Sequence, residues 1–185
     1  MTAHAGQCRK ADAAVPYAVH PVHVALLLTR FGVDDDVVVA ALLHDVPEDC
    51  ADWTVDRVRL EFGARVAGIV GELTENKRHS WEQRKQHAVD HVPHMTPDAA
   101  TVKAADQLHN LTSLRRQLEE AHDPERVWVR FTGGRDRTLA MARKLSQALV
   151  LRIDPRLGRA LLAAVEALEV ASAPRTAVSP SRPVS

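Results

Sequence analysis

A histidine and an aspartate stand side by side at the end of the most apolar stretch of the chain. His44 and Asp45 follow the segment VVVAALL, a pattern typical of a buried helix. A buried, ionised aspartate is costly unless it is paired or bound to a metal ion. Neighbouring side chains on a helix diverge by about 100°, so both can reach one ion only at the helix edge, and other ligands must come from elsewhere. The alternative is coincidence, since the chain contains ten histidines.

Ligand-type side chains also occur at two other places. His20 precedes a predicted helix, and Asp106 lies midway along another apolar helical pattern. Two imidazoles and two carboxylates suit Mn²⁺, Fe²⁺ or Zn²⁺ and leave positions for water and substrate. These four residues are therefore a candidate site for one divalent metal ion.

Two further carboxylates, Glu48 and Asp49, follow the HD pair closely. On a continuing helix Glu48 shares a face with His44 and Asp45. Two carboxylates beside a metal ion fit a general base, or a pair that positions water. Pro47 kinks or ends the helix here, and the alternative is a solvated helix end.

The elements that must position these residues are helical. Capping residues, prolines and glycines divide the chain into segments with helical spacing of apolar residues, and strand alternation is nearly absent. We predict an all-α bundle, one domain over 1–171, followed by a disordered Pro- and Ser-rich tail over 172–185. The predicted helices are 21–31, 37–43, 55–62, 64–73, 80–91, 98–120, 124–133, 135–151 and 155–170.

Composition narrows the function. The 185 residues contain 24 Lys and Arg against 24 Asp and Glu, and this zero net charge argues against a general nucleic-acid binder. A local basic pocket for a small phosphorylated ligand remains compatible with it. No apolar run approaches the roughly 20 residues that span a bilayer, and no signal peptide is recognisable. We expect a cytoplasmic protein without a membrane partner, in which Cys8 and Cys50 are free thiols.

Three blocks of the chain carry a resemblance to a known family. The stretches AHAGQCRK…PYAVHPVHVA, AALLHDVPED and KAADQLHNL resemble the hydrolase domain of the RelA/SpoT proteins, a branch of the HD-domain phosphohydrolases. The likeness spans nearly all of 4–114, and VWVRFTGGRDRTL resembles the C-terminal part of small, single-domain members. The resemblance implies removal of pyrophosphate from the 3′ position of guanosine tetra- or pentaphosphate, and no synthetase domain.

The resemblance also implies roles for individual residues. Mn²⁺ is the usual metal, with His20, His44, Asp45 and Asp106 as its ligands and Glu48 and Asp49 activating or positioning the attacking water. Asn110 matches a residue that lies beside the substrate, and Arg9 and Lys10 match a basic pair near the nucleotide.

Several other cations and one aromatic residue are candidate substrate contacts on chemical grounds. A phosphate ester needs cations for its spreading charge, and Arg84 and Lys85 are candidate phosphate contacts, with a solvated helix face as the alternative. Lys77 and Arg78 could contribute as well, and Arg130 and Arg135 are weaker candidates. Tyr17 either stacks on a base or packs in the core. His109 is expected to be structural, because it lies on a different helix face from Asp106.

Three departures from the family pattern bear on the substrate. A helix that normally precedes the AHxGQ block is missing, or the start site is misassigned; Pro47 and Cys50 replace an aliphatic residue and Thr; and the loop over 74–80 is short. The leading hypothesis is a metal-dependent guanosine polyphosphate pyrophosphohydrolase. The alternatives are an HD phosphohydrolase for another nucleotide, a non-catalytic metal- or nucleotide-binding module, and a purely structural bundle. The sequence does not predict an oligomeric state.

Overall fold

The fold begins with a short hairpin and continues as helices. In the computed structural model, which describes residues 4, 6–9 and 12–173, strand β1 (Cys8–Arg9) pairs antiparallel with β2 (Asp12–Pro16). The backbone N–H of Tyr17 then donates to Gln7 O at 2.8 Å, which fixes the hairpin before the first helix. The sequence did not predict these strands, because they are too short to show an alternating pattern.

All-α architecture is confirmed for the rest of the described chain. Helix ends coincide with the predicted caps: the side chains of Asp34, Thr54 and Thr96 each accept a backbone N–H, and Ser80 forms a capping box with Gln83. The helices are α1 (Val19–Thr29), α2 (Asp35–Leu43), α3 (Val46–Asp49), α4 (Val55–Phe62), α5 (Ala64–Leu73), α6 (Trp81–His91), α7 (Pro97–Glu120), α8 (Glu125–Trp128), α9 (Gly134–Leu149) and α10 (Pro155–Ala171), with a 3₁₀ turn over Val92–His94.

One predicted helix is too long. The helix expected over 124–133 is only the four-residue α8, and turns occupy the stretch that leads to Gly134. The expected break near Pro47 is confirmed, because α2 ends at Leu43 and α3 starts anew at Val46 with Pro47 in its first turn. Proline lacks the N–H that a continuing helix would need, so it favours a fresh helical start at this point.

Helix α7 is the centre of the bundle. Its 24 residues contact α1, α2, α5, α9 and α10. Val102, Leu111 and Leu118 on α7 are buried together with Leu161 and Leu168 on α10. Packing along the whole of α7 therefore fixes the position of Asp106, the α7 residue that lies near α1 and α2.

The buried faces of α1 and α2 meet α7 at one level. On α1, His20, Val24 and Leu28 are buried, and on α2, Val37 and Ala41 are buried. These apolar contacts fix the start of α1, the end of α2 and the middle of α7 against one another. The three places are where His20, His44 and Asp106 occur.

Two further contacts hold the outer helices. Trp81, the first residue of α6, packs so closely on Gly133 before α9 that a Cβ there would lie 2.5 Å from the ring. In addition, the Arg65 guanidinium contacts the Asp34 and Asp98 carboxylates and so links α5 to the starts of α2 and α7.

The structure also bears on the predictions about membrane spans, cysteines and the C-terminal tail. Within the described ranges, no helix combines the length and apolarity needed to cross a bilayer. Cys8 and Cys50 are both free thiols, as predicted. The domain boundary and the disordered tail stay predictions, since residues 174–185 lie outside the described residues.

Candidate active site

The four predicted metal ligands come together at the junction of α1, α2 and α7. His20 Nε2 lies 3.2 Å from Asp106 Oδ1 and 3.6 Å from Asp45 Oδ2. His44 Nε2 lies 3.2 Å from Asp45 Oδ2 and 3.8 Å from Asp106 Oδ1. One ligand atom each of His20, His44 and Asp106 all lie within 4.8 Å of one another. Two imidazole nitrogens and carboxylate oxygens at this spacing can surround a single divalent cation.

The ring of His44 is oriented by its own helix. Its Nδ1 donates to the carbonyl oxygen of Ala41 at 2.8 Å, an acceptor-only group, so Nε2 faces the two carboxylates. Nε2 is buried and makes no hydrogen bond of normal geometry to any described residue, although Asp45 Oδ2 is 3.2 Å away. Buried polar atoms rarely lack a hydrogen-bond partner, and binding a metal ion is one role that explains why Nε2 of His44 lacks one.

Negative charge dominates the cluster. Burial opposes protonation of His44, but the Asp45 and Asp106 carboxylates outweigh it and raise the pKa of His44 to about 9. Burial likewise opposes ionisation of Asp45, yet His44 lowers the pKa of Asp45 to about 2. The pKa of Asp106 is held well below its usual range by Lys103 and the two histidines, against the effect of burial. Both carboxylates are therefore ionised at neutral pH, as a cation site requires.

Two neighbours hold the carboxylate ligands in place. The Tyr17 hydroxyl donates a short hydrogen bond to Asp45 Oδ2, and burial together with Asp45 raises the pKa of Tyr17, which keeps the phenol protonated. Asn110 Nδ2 donates to Asp106 Oδ1 at 2.6 Å, one helical turn away on α7. Substrate contact was predicted for both residues and stays a prediction, since the contacts described here are to metal-ligand candidates.

Glu48 and Asp49 lie on α3 beside this cluster. Glu48 Oε1 accepts the backbone N–H of Glu75 at 2.8 Å. Burial raises the pKa of Glu48, and the nearby Asp45 and Glu75 carboxylates act in the same direction. Asp49 Oδ1 instead contacts Lys77 Nζ at 2.6 Å, near the surface. The two carboxylates therefore have different environments, one half-buried among other acids and one paired with a cation.

The cations predicted to contact phosphate converge on a residue that the sequence did not indicate. Arg84 Nη1 lies 3.3 Å from Glu75 Oε2, and Lys85 Nζ lies 2.9 Å from Glu75 Oε1. Glu75 is 14% exposed in its side chain, and Lys85 lowers the pKa of Glu75 although burial opposes this. Both cations therefore lie on a partly exposed helix face and are paired with one half-buried carboxylate. A single acidic residue in a loop offers no pattern by which sequence could single it out.

Two residues of α7 near the cluster, Lys103 and His109, were not predicted as site residues. Lys103 Nζ, one turn before Asp106 on α7, lies 3.5 Å from Asp106 Oδ2 with its side chain 15% exposed. His109 Nδ1 lies 2.8 Å from Nδ1 of His20, so the residue expected to be structural contacts a candidate metal ligand. The spacing of Lys103 from Asp106 was an available signal, whereas the contact of His109 is made across helices.

Two of the remaining predicted contacts, the Arg9 side chain and Lys10, lie outside what the structure describes. Arg9 lies in β1, and Lys10 lies outside the described residues. Arg135 pairs with Asp136 and Glu125 near the start of α9. The predicted roles of Arg9 and Lys10 beside a nucleotide stay predictions.

Comparisons with protein families, curated proteins and solved structures all match this chain to HD-domain hydrolases. The HD domain family profile matches residues 1–136. Human MESH1, named guanosine-3′,5′-bis(diphosphate) 3′-pyrophosphohydrolase, is 44% identical over 130 residues, which cover 69% of this chain and 72% of the human protein. The Danio rerio protein of the same name is 37% identical over 158 residues, or 80% of this chain and 87% of the relative. A solved structure of a metazoan SpoT orthologue that hydrolyses ppGpp superposes with a TM-score of 0.74 at 28% identity, covering 89% of this chain and 88% of that one.

Proposed function

The chain belongs to the HD-domain family, and from this premise we propose that it is a metal-dependent hydrolase that releases pyrophosphate from the 3′ position of guanosine 3′,5′-bis(diphosphate) and its pentaphosphate analogue. The observation that carries the proposal is the convergence of His20, His44, Asp45 and Asp106, with Glu48 beside them. Relatives whose names state this reaction align over most of the chain, which supports the choice of substrate.

The proposed ligands are His20, His44, Asp45 and Asp106. Mn²⁺ is the proposed ion by family resemblance, and Fe²⁺ and Zn²⁺ suit the same donors. When bound, the ion supplies a Lewis acid that polarises phosphate oxygens and stabilises their charge. Tyr17 and Asn110 keep Asp45 and Asp106 oriented through their hydrogen bonds.

Glu48 is the better proposed acceptor of the proton of the attacking water. Its pKa is raised by burial, toward the pH at which a general base works well. The Glu75 N–H holds one of its carboxylate oxygens. Asp49, paired with Lys77, positions water or substrate beside it.

Arg84 and Lys85 are proposed to bind the substrate phosphates, together with Arg9 and Lys10. A pyrophosphate group carries more negative charge than Glu75, so it can compete with that carboxylate for both cations. Exchange of partners in this way would keep the cations ordered before the substrate arrives. Asn110 and Tyr17 are proposed to lie beside the nucleotide.

The test is pyrophosphate release from guanosine tetraphosphate by chelator-stripped protein, with and without added Mn²⁺, beside a panel of other nucleotides. Asp45→Ala should lose both Mn²⁺ binding and turnover. Glu48→Gln should bind Mn²⁺ normally and lose turnover by about 10²–10⁴-fold, the usual contribution of a general base. Glu61→Gln, at an exposed carboxylate paired with Arg57, is the matched control and should change neither.

Three outcomes would contradict the proposal in different ways. Turnover retained in Asp45→Ala would refute the metal site. A clear preference for another nucleotide would keep the site and change the substrate. Nucleotide binding by Mn²⁺-loaded protein without any turnover would favour a non-catalytic binding module.

A further inference from the structure

Three imidazoles form a line from the candidate metal cluster to the surface. His20 and His23 lie one turn apart on α1, and His109 reaches them from α7. Nδ1 of His20 is 2.8 Å from Nδ1 of His109, and Nε2 of His109 is 3.2 Å from Nδ1 of His23. His20 is 2% exposed, whereas His23 is exposed, so the line begins in the core and ends at solvent.

The proton positions along this line are constrained. A neutral imidazole has one N–H donor and one acceptor nitrogen. A metal ion at the cluster needs the lone pair of His20 Nε2, so Nδ1 of His20 must carry the proton and donate to His109 Nδ1. His109 then carries its proton on Nε2 and donates to His23 Nδ1. If the hydrogen bond ran the other way, His109 would donate to Nδ1 of His20. A neutral His20 would then carry its proton on Nε2, where the proton would block binding of the ion.

The two histidines of the cluster are oriented by different means. His44 donates to the Ala41 carbonyl, which can only accept, so the direction of that hydrogen bond is fixed. The partner of His20 is another imidazole, which can either accept or donate. The ring of His109 can therefore point its acceptor nitrogen or its N–H at His20, and His23, by accepting a hydrogen bond at the other nitrogen, favours the direction that His20 needs.

We propose that His109 is a positioning residue that holds His20 with Nε2 unprotonated toward the metal ion, and that His23 sets the direction of this hydrogen bond. The inference rests on the metal site of the proposed function and extends it to two residues outside that site. Partners of this kind behind a ligand histidine commonly change metal affinity by about 10–100-fold.

The experiment measures the Mn²⁺ dissociation constant of the chelator-stripped full chain by calorimetry. His109→Phe should weaken Mn²⁺ binding by about 10–100-fold. His109→Gln, whose side-chain oxygen can accept from Nδ1 of His20, should recover most of the loss. His23→Phe, at an exposed position, should weaken binding by a smaller factor, and the exposed His122→Phe is the matched control that should not change it.

A second readout is the nitrogen NMR of the His20 ring in the Mg²⁺- or Zn²⁺-loaded protein, which should show the proton on Nδ1. Equal Mn²⁺ affinity in wild type, His109→Phe and His23→Phe would overturn the positioning role while leaving the metal site standing. Failure of His109→Gln to recover affinity, with unchanged free energy of unfolding, would also overturn it. A wild-type protein that binds no divalent ion would instead contradict the proposed function itself.

Discussion

Replacing Gly133 by alanine tests the packing that fixes α6. Gly133 has φ −75° and ψ −11°, an ordinary helical conformation, so alanine adds no backbone strain. The added Cβ would lie 2.5 Å and 2.6 Å from Cη2 and Cζ2 of the Trp81 ring and 2.9 Å from Thr138 Oγ1. The perturbation is therefore a collision with one indole ring and one hydroxyl.

The size of the effect follows from these distances. Carbon atoms in contact prefer a separation of about 3.5–4.0 Å, so the ring must retreat by roughly 1 Å. Trp81 starts α6, and its ring also lies 5.6 Å from the Arg137 guanidinium carbon, so the ring cannot move without disturbing that contact. Overpacking of this kind costs about 1–3 kcal/mol.

The assay is urea-induced unfolding of the full chain at neutral pH. Gly68→Ala is the matched control, because a Cβ on this α5 residue meets nothing within 4 Å, and it should stabilise by about 0.5–1 kcal/mol. In a Trp81→Leu background, Gly133→Ala should lose most of its cost, since the obstructing ring is gone. A Gly133→Ala protein as stable as wild type, or an unchanged cost without the indole, would refute the steric explanation.

Three further predictions concern charge and metal. Glu75→Gln should lower the free energy of unfolding by about 1 kcal/mol at pH 7, because it weakens contacts to the partly exposed Lys85 and Arg84. The pKa of Glu75 is lowered from 4.5, so this difference should shrink as the pH falls below 4.5, and a difference independent of pH would contradict the prediction. Arg65→Gln removes exposed contacts to Asp34 and Asp98 and should cost less than about 1 kcal/mol, falling further in 1 M salt, as salt-dependent unfolding would reveal. Mn²⁺ at 100 times its dissociation constant should stabilise the folded chain by about 2.7 kcal/mol in the same assay, and no shift in the unfolding midpoint would argue against a site that exists only in the folded state.

Local signals explain what the sequence predicted well. Helix starts at Asp34, Thr54 and Ser80 follow from side chains that cap the next backbone N–H groups, which is chemistry within three residues. The sequence also indicated that His20, His44 and the two aspartates lie close together, because ionisable groups within apolar helical patterns need partners. The resemblance to HD hydrolases then implied that all four residues bind one metal ion.

What sequence could not supply depends on contacts between distant elements. Glu75 gains its role only because α6 returns Arg84 and Lys85 to it. His109 was assigned to a different face of α7 from Asp106, yet its ring reaches α1 because the two helices pack at that level. The early end of α8 has no local signal in 129–133 that would have predicted it.

The position of the cluster among three packed helices has a consequence for the choice of ion by size. His20 and Asp106 are carried by helices whose other faces are buried in the core, so the ligand atoms cannot spread without loss of that packing. Ca²⁺ prefers six to eight oxygen ligands at about 2.3–2.6 Å in a pliable shell, whereas smaller ions bind at about 2.0–2.2 Å. For the proposed metal site we therefore expect weaker binding of Ca²⁺ than of Mn²⁺, Fe²⁺ or Zn²⁺, because the two imidazoles and the fixed helix positions suit the smaller ions better.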